Sequence, residues 1–216
     1  KVAQQIFTKK FCLRKQMDIL CAKFQERRDQ VYAKCHSLER GKVIDVVLLY
    51  DKPDFSIKEV RILYSNVNKQ LYSNYNLIII CDVDAESNFR NFVKAHNYVN
   101  VTIIPIKLFN REKNIIIGWG AIIVKIKAQL QGQYVAFLST GQLWFKDHLA
   151  KLAFILNGNP ELNLAYSGYL VYGQNSDGRA VSRTLCHIKL EDDYFNPYPL
   201  STILVTAAYI KKLPDY

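Results

Sequence analysis

From residue 43 onward, apolar residues come in short unbroken runs separated by stretches of helical spacing. Val43–Tyr50 is β-branched and apolar, bounded by Gly41 and Pro53, and predicts a buried strand. Phe55–Gln70 repeats apolar positions at Ile57, Val60, Ile62 or Leu63, and Val67, the period of a helix. The same alternation continues along the chain. Asn76–Cys81 predicts a second strand, Ser87–Ala95 a helix and Asn100–Ile106 a third strand. Residues 117–130 predict a helix despite their β-branched content, and Gln133–Leu138 predicts a fourth strand. A helix over Phe145–Leu156 ends at Asn157–Pro160. Ala165–Tyr172 and Ala180–Ile188 are strand-like around a turn at 173–178. Continuous apolar strands separated by helices imply an α/β fold, with a largely parallel sheet covered on both faces.

Before residue 43 the pattern changes. Leu13, Met17, Leu20, Phe24, Val31, Cys35 and Leu38 follow steps of three, four and seven, and no glycine or proline intervenes before Gly41. That spacing predicts one long amphipathic helix or two shorter ones. Residues 1–42 hold 11 Lys or Arg against 4 Asp or Glu, so they carry +7 of the chain's formal +10. The expected division is therefore a basic helical arm over 1–42 and a body over 43–216. Three uses of the arm stand open. It can pack on its own domain with a solvated basic face, or contact another domain or an oligomer partner through its apolar stripe. It can also meet an anionic membrane surface or nucleic acid, the last being weakest because no binding motif accompanies the charge.

Composition narrows the class. With 216 residues, half of them hydrophobic and 22% charged, the chain suits one globular domain with an appendage and not a disordered segment. No apolar run is long enough for a membrane span; the 115–124 stretch is short and is followed by Lys125 and Lys127. The opening Lys1–Gln5 is neither a start methionine nor a signal peptide, and reads as part of a longer protein. The cysteines, Cys12, Cys21, Cys35, Cys81 and Cys186, include no C-x-x-C pair, which disfavours zinc and a disulfide framework and favours reduced thiols in a cytoplasmic protein. His36, His96, His148 and His187 stand alone and are expected at the surface or satisfied in the core. Asn100–Thr102 matches a glycosylation sequon, a pattern common by chance.

In parallel sheets ligands bind beyond the carboxyl ends of the strands. That singles out Tyr50 and Asp51, Asp82–Asp84, and Ser139–Gly141, each directly after a predicted strand. No G-x-G-x-x-G follows the first strand and no G-x-x-x-x-G-K-[ST] occurs, so a dinucleotide Rossmann site and a P-loop are disfavoured.

Val43–Asp51, Gln70–Asp82 (QLYSNYNLIIICD) and Gly132–Leu138 (GQYVAFL), taken in order, resemble the family 2 glycosyltransferases. The resemblance runs from residue 43 to about residue 212, and its most specific block is Gln70–Asp82. It implies a GT-A-like fold and a nucleotide diphosphate-sugar donor, whose sugar passes to a hydroxyl acceptor in polysaccharide or glycoconjugate synthesis. By the same resemblance, Tyr50 matches the tyrosine that lies against the base, Asp51 replaces an asparagine, and Asp82 matches the acid that contacts the base. Asp84 stands one step beyond the position where a second acid is common. Ser139–Gly141 occupies the place of the D-x-D whose carboxylates hold Mg²⁺ or Mn²⁺ against the leaving diphosphate. Ser139 and Gly141 supply no such charge. The A-R-N-like stretch is replaced by Ile122–Val124.

Two further readings belong beside this one. Asp82-Val83-Asp84 is itself D-x-D, so it could chelate a divalent ion, or its aspartates could simply form a turn or cap a helix. Lys107, Arg111 and Lys113 are cations in a loop region that could face a diphosphate without metal. Glu191–Asp193 is the acidic cluster nearest the end where the family carries its base, but it precedes the Ser201–Ala208 stretch and reads as an acceptor-side loop or a solvated turn. No catalytic base is assigned. The expectations are an active glycosyltransferase, a catalytically degenerate GT-A scaffold within a larger protein, or an unrelated basic α/β binding module. A membrane-peripheral location through residues 1–42 is compatible with all three.

Overall fold

The computed structural model describes residues 42–110, 115–116, 119–174, 180–185 and 200–214, together with Ala22 and Glu26, both helical. The chain divides into two compact units, Lys1–Leu38 and Glu39–Tyr216. The basic arm expected over residues 1–42 therefore lies almost wholly outside the described residues. So do Arg111, Lys113, Glu191, Asp192 and Asp193, four of the cysteines, His36 and His187.

The second unit is α/β. Its main sheet has six strands in the order β3-β2-β1-β6-β10-β7. These are β1 (Ile44–Leu49), β2 (Tyr75–Asp82), β3 (Val101–Ile106), β6 (Tyr134–Ser139), β7 (Leu164–Tyr166) and β10 (Ile203–Thr206). β1 runs parallel to β2 and to β6, and β2 parallel to β3, while β10 is antiparallel to β6 and to β7. The helices are α1 (Ile57–Asn68), α2 (Glu86–Ala95), α3 (Trp119–Ile126), α4 (His148–Gly158) and α5 (Ala207–Lys212). Two small hairpins stand apart from the sheet: β4 (Phe109–Asn110) with β5 (Ile115–Ile116), and β8 (Tyr169–Gln174) with β9 (Ala180–Leu185). This is the mostly parallel, helix-flanked GT-A-like arrangement expected above.

The continuous apolar runs are explained by burial on both faces. All six residues of β1 and all six of β6 are buried. One face of the sheet, through Val47, Leu49, Ile78, Ile80, Val135 and Phe137, packs on Ile122 and Ile126 of α3 and Ile210 of α5. On the other, Leu48 and Ile79 meet Val60 and Leu63 of α1 and Phe89 and Phe92 of α2. Ser56 starts α1 by accepting from the Glu59 N–H, as an N-cap serine does.

Two predicted elements change shape. The helix expected from Phe145 begins at His148, because the Phe145 and Lys146 carbonyls accept bonds from Gln70 and from the Leu71 N–H. The single strand expected over Ala165–Tyr172 is two, with β7 in the main sheet and β8 in a separate hairpin. They part at Ser167, whose N–H turns to the Thr202 carbonyl.

Candidate functional site

The four adjacent parallel strands deliver their carboxyl ends side by side, Ser139 from β6, Tyr50 and Asp51 after β1, Asp82 at the end of β2 and Lys107 after β3. Neighbouring strands lie about 4.8 Å apart, so this row spans roughly 15 Å, the reach of one extended ligand. The topology brings all the predicted strand-end residues to one rim. What each side chain does there differs.

Asp82 is 7% exposed and its carboxylate serves the backbone. Oδ1 accepts the Asp84 N–H at 3.1 Å, capping the short 3-10 turn Val83–Ala85. Oδ2 accepts the Leu108 N–H at 3.0 Å, drawing the segment after β3 over the end of β2. Val83 and Asp84 are exposed on that turn. Among the described residues no three His, Cys, Asp or Glu side chains gather closely enough to hold a metal ion.

Tyr50 is 1% exposed. Its ring meets Phe89 edge-on at 5.2 Å and Phe55 at 6.2 Å. Its hydroxyl donates to the Asp54 carbonyl at 2.8 Å and accepts the Ser56 N–H at 2.7 Å. Burial, with the nearby Glu59 carboxylate adding to it, holds this phenol above the usual tyrosine range. Tyr50 thus ties β1 to the start of α1 and forms a wall behind the rim. Asp51, half-buried, bonds through its N–H to the Thr140 hydroxyl.

Ser139–Gln142 is a tight turn. The Gln142 N–H returns to the Ser139 carbonyl at 3.1 Å. Gly141 has φ +82, the geometry of the third residue of a type II turn. The Gln142 side-chain oxygen accepts both the Ser139 hydroxyl, at 2.7 Å, and the Ser139 N–H, at 3.1 Å. The Thr140 N–H donates to the Leu49 carbonyl at 3.2 Å. The stretch aligned with D-x-D is therefore a neutral clasp joining the ends of β1 and β6. Its oxygens are hydroxyl, amide and carbonyl, a poor match to the carboxylate-rich shell of Mg²⁺ or Mn²⁺. A metal of that kind does not fit this donor set.

The segment leaving the clasp is held by α1. Asn66 bonds the Trp144 backbone twice, accepting its N–H and donating to its carbonyl, both at 2.9 Å. Gln70 donates to the Phe145 carbonyl at 2.9 Å and accepts the Leu149 N–H at 3.2 Å. Gln70 heads the most specific block of the sequence resemblance, and this is its structural role. Trp144, buried, donates from Nε1 to the Ser201 carbonyl at 2.6 Å and stacks on His148 at 5.0 Å.

His148 corrects an expectation. It is 8% exposed, but it is not a satisfied core histidine. Nδ1 lies 3.3 Å from the Ser167 hydroxyl, while Nε2 has no hydrogen-bond partner among the described residues. Burial pushes its pKa down to about 4; Asp147 opposes the shift and Lys151 adds to it. His96, by contrast, is exposed as expected. Sequence reasoning also passed over Asn66, Gln142 and Trp144. Asn66 stands four residues before Gln70, on the same helical face, which was the available signal.

No family model matches the chain, and no curated protein matches it in sequence. Among solved structures it is similar to S. aureus TarS residues 1–349, with a TM-score of 0.50 and 17% identity over 79% of this chain and 48% of that one. It also matches the mannosyltransferase PcManGT from Pyrobaculum calidifontis in complex with GDP-Man and Mn²⁺, at TM-score 0.46 and 13% identity over 63% of this chain and 41% of that one. The TarS 1–349 complex with UDP-GlcNAc matches at TM-score 0.44 and 15% identity over 79% and 47%. The chain spans about half the length, or less, of these structures. The TarS likeness bears on the fold alone.

Proposed function

We propose that residues 43–216 form a glycosyltransferase-type domain that binds a nucleotide diphosphate-sugar across the strand-end rim. The observation that carries this reading is the row of Asp51, Asp82, Asp84 and Ser139–Gly141 at the carboxyl ends of adjacent parallel strands, in the order that the sequence resemblance implies. Asp51 and Asp84 would face the nucleoside. Asp82 would shape its floor through the Leu108 backbone, and Tyr50 would stand behind it. A hydroxyl acceptor would approach from the side of β6 and Trp144. Residues 1–42 would form a separate basic arm.

The Ser139–Gln142 clasp favours a second reading, that the domain has lost metal-assisted transfer and acts as a binding scaffold within a larger protein. Without carboxylates at that position, only cations such as the exposed Lys107 remain to neutralise a diphosphate.

Thermal unfolding with uridine, guanosine and thymidine diphosphates and their sugars, with and without Mn²⁺, tests both. A nucleotide at 100 times its Kd adds about 2.7 kcal/mol to stability. Stabilisation by one nucleotide series, lost in Asp84→Ala, supports the donor site. Stabilisation that ignores Mn²⁺, without sugar release or transfer, supports the scaffold. No shift with any nucleotide overturns both readings.

A further inference from the structure

The segment that Asn66 and Gln70 clamp to α1 displays two large apolar side chains to solvent. Leu143 and Phe145 are each 65% exposed, although Trp144 between them is buried. The clamp fixes their neighbours: Trp144 bonds to Asn66, Phe145 to Gln70 and Lys146 to Leu71, so the segment advances along α1 in the helix's own direction, and continuing that course back by one residue directs Leu143 to the preceding turn of α1. That turn presents Ile62, 46% exposed, four residues before Asn66 on the same face. Lys69 and Lys146, both exposed, adjoin these apolar groups in the chain, Lys69 next to the clamping Gln70 and Lys146 next to Phe145.

Among the described residues neither Lys69 nor Lys146 has an ion-pair partner. Glu59 is the one acid in α1, and its Oε2 lies 3.3 Å from the Tyr50 hydroxyl. Asp147 is paired with Lys151 at 2.6 Å. The face therefore combines protruding aliphatic and aromatic groups with uncompensated cations on a rigid backbone. An ordinary solvated face carries mixed charge and keeps such large side chains down.

We propose that this face, built from α1 and residues 143–146, docks on an anionic lipid surface. Leu143, Phe145 and Ile62 enter the headgroup boundary while Lys69 and Lys146 lie at the level of the lipid phosphates. Protruding apolar groups ringed by cations suit a soft interface that closes around them. The lysine stems add apolar contact while their ammonium groups stay in the headgroup layer. The proposal does not depend on nucleotide binding and does not involve residues 1–42.

The test uses the full chain and vesicles of phosphatidylcholine, alone or mixed equally with phosphatidylglycerol. Flotation should show binding to the mixed vesicles that weakens with salt. Leu143→Ser with Phe145→Ser should lower partitioning at least about tenfold. Lys69→Gln and Lys146→Gln should each lower it about fivefold. All these positions are exposed, so thermal unfolding should be unchanged. Phe145→Trp on vesicles of brominated-acyl lipid separates this face from any capture by residues 1–42. Quenching beyond that of the parent protein places residue 145 in the bilayer boundary. Unquenched fluorescence, equal binding by the variants, or binding only to an acidic protein surface and not to vesicles would overturn the proposal.

Discussion

The two ends of the parallel sheet use carboxylates in opposite ways. At the amino end Asp45 is 1% exposed and saturated. Its oxygens accept the Gln131 N–H at 2.8 Å, the Gly132 N–H at 2.7 Å and the Asn76 amide at 2.9 Å. Around it the Tyr72 hydroxyl and the Asn74 amide both donate to the Lys42 carbonyl. At the carboxyl end, Asp51 is half-buried, Asp84 is exposed, and a neutral turn stands between β1 and β6. One end commits its charge to holding the chain, and the other leaves acids at a rim. The comparison teaches that a buried acid with full backbone donors marks architecture, while acids along an open strand-end row mark the place to look for a ligand. Asp82 belongs to both: it sits in the row, yet its oxygens bind the main chain.

The largest effect should come from breaking the amino end. Asp45→Leu strands two backbone N–H groups and an amide in the interior. It should cost about 4 kcal/mol by urea unfolding. Loss below about 1 kcal/mol would show that this end is not the anchor described here.

Next comes the buried histidine beyond the other end. Burial pushes the His148 pKa down to about 4 in the folded chain, from the 6.5 of an ordinary histidine. The unfolded chain therefore takes up the proton first. Stability is fully present above pH 6.5, falls as pH drops toward 4 and levels off below it. The total loss from this group is about 3 kcal/mol. His148→Phe keeps a ring on Trp144 and removes the titration. The difference between parent and variant, measured by urea unfolding at neutral pH and near pH 4, isolates this group from the carboxylates. Parallel pH profiles for the two proteins would sink the assignment.

How much of this the sequence carried depends on whether the cause is local. β1, β2 and β6 were legible because burial on both faces requires unbroken apolar runs. The rim residues were legible because they follow those runs directly. The inward commitment of Asp82 was not, since its partner Leu108 lies 26 residues away and is brought over by β3. The break between β7 and β8 was hidden for the same reason, because Ser167 answers to Thr202 on another element. The orphaned Nε2 of His148 was equally invisible, since one lone histidine looks like another until its neighbours are known. The Gln70–Asp82 block was legible as a pattern, but its purpose was not. Gln70 holds the segment after the clasp, Tyr72 and Asn74 hold Lys42, and Asn76 holds Asp45.

Two glycines sharpen the comparison, because each sits at one end and each resists a side chain for a different reason. A Cβ on Gly132 would stand 2.6 Å from the Val43 carbonyl oxygen and 3.0 Å from the Asp45 nitrogen, both backbone atoms that cannot swing aside. Gly132→Ala should cost about 2 kcal/mol through steric displacement of the β1 start. Gly132→Asn should be at least as costly, because the obstacle is space.

Gly141 has nothing within 4 Å of its Cβ position, so crowding plays no part there. Its φ of +82 is the whole difficulty. Gly141→Ala should cost about 1 kcal/mol, and Gly141→Asn about half of that, because asparagine tolerates positive φ better than alanine. The order of the two substitutions is the diagnostic. Asparagine should be the milder change at residue 141 and no milder at residue 132, and urea unfolding of the four variants reads both orders. If asparagine and alanine cost the same at residue 141, the turn has relaxed out of its type II geometry. The clasp between β1 and β6 would then be looser than its hydrogen bonds imply, and the case for a rigid, metal-free rim would weaken with it.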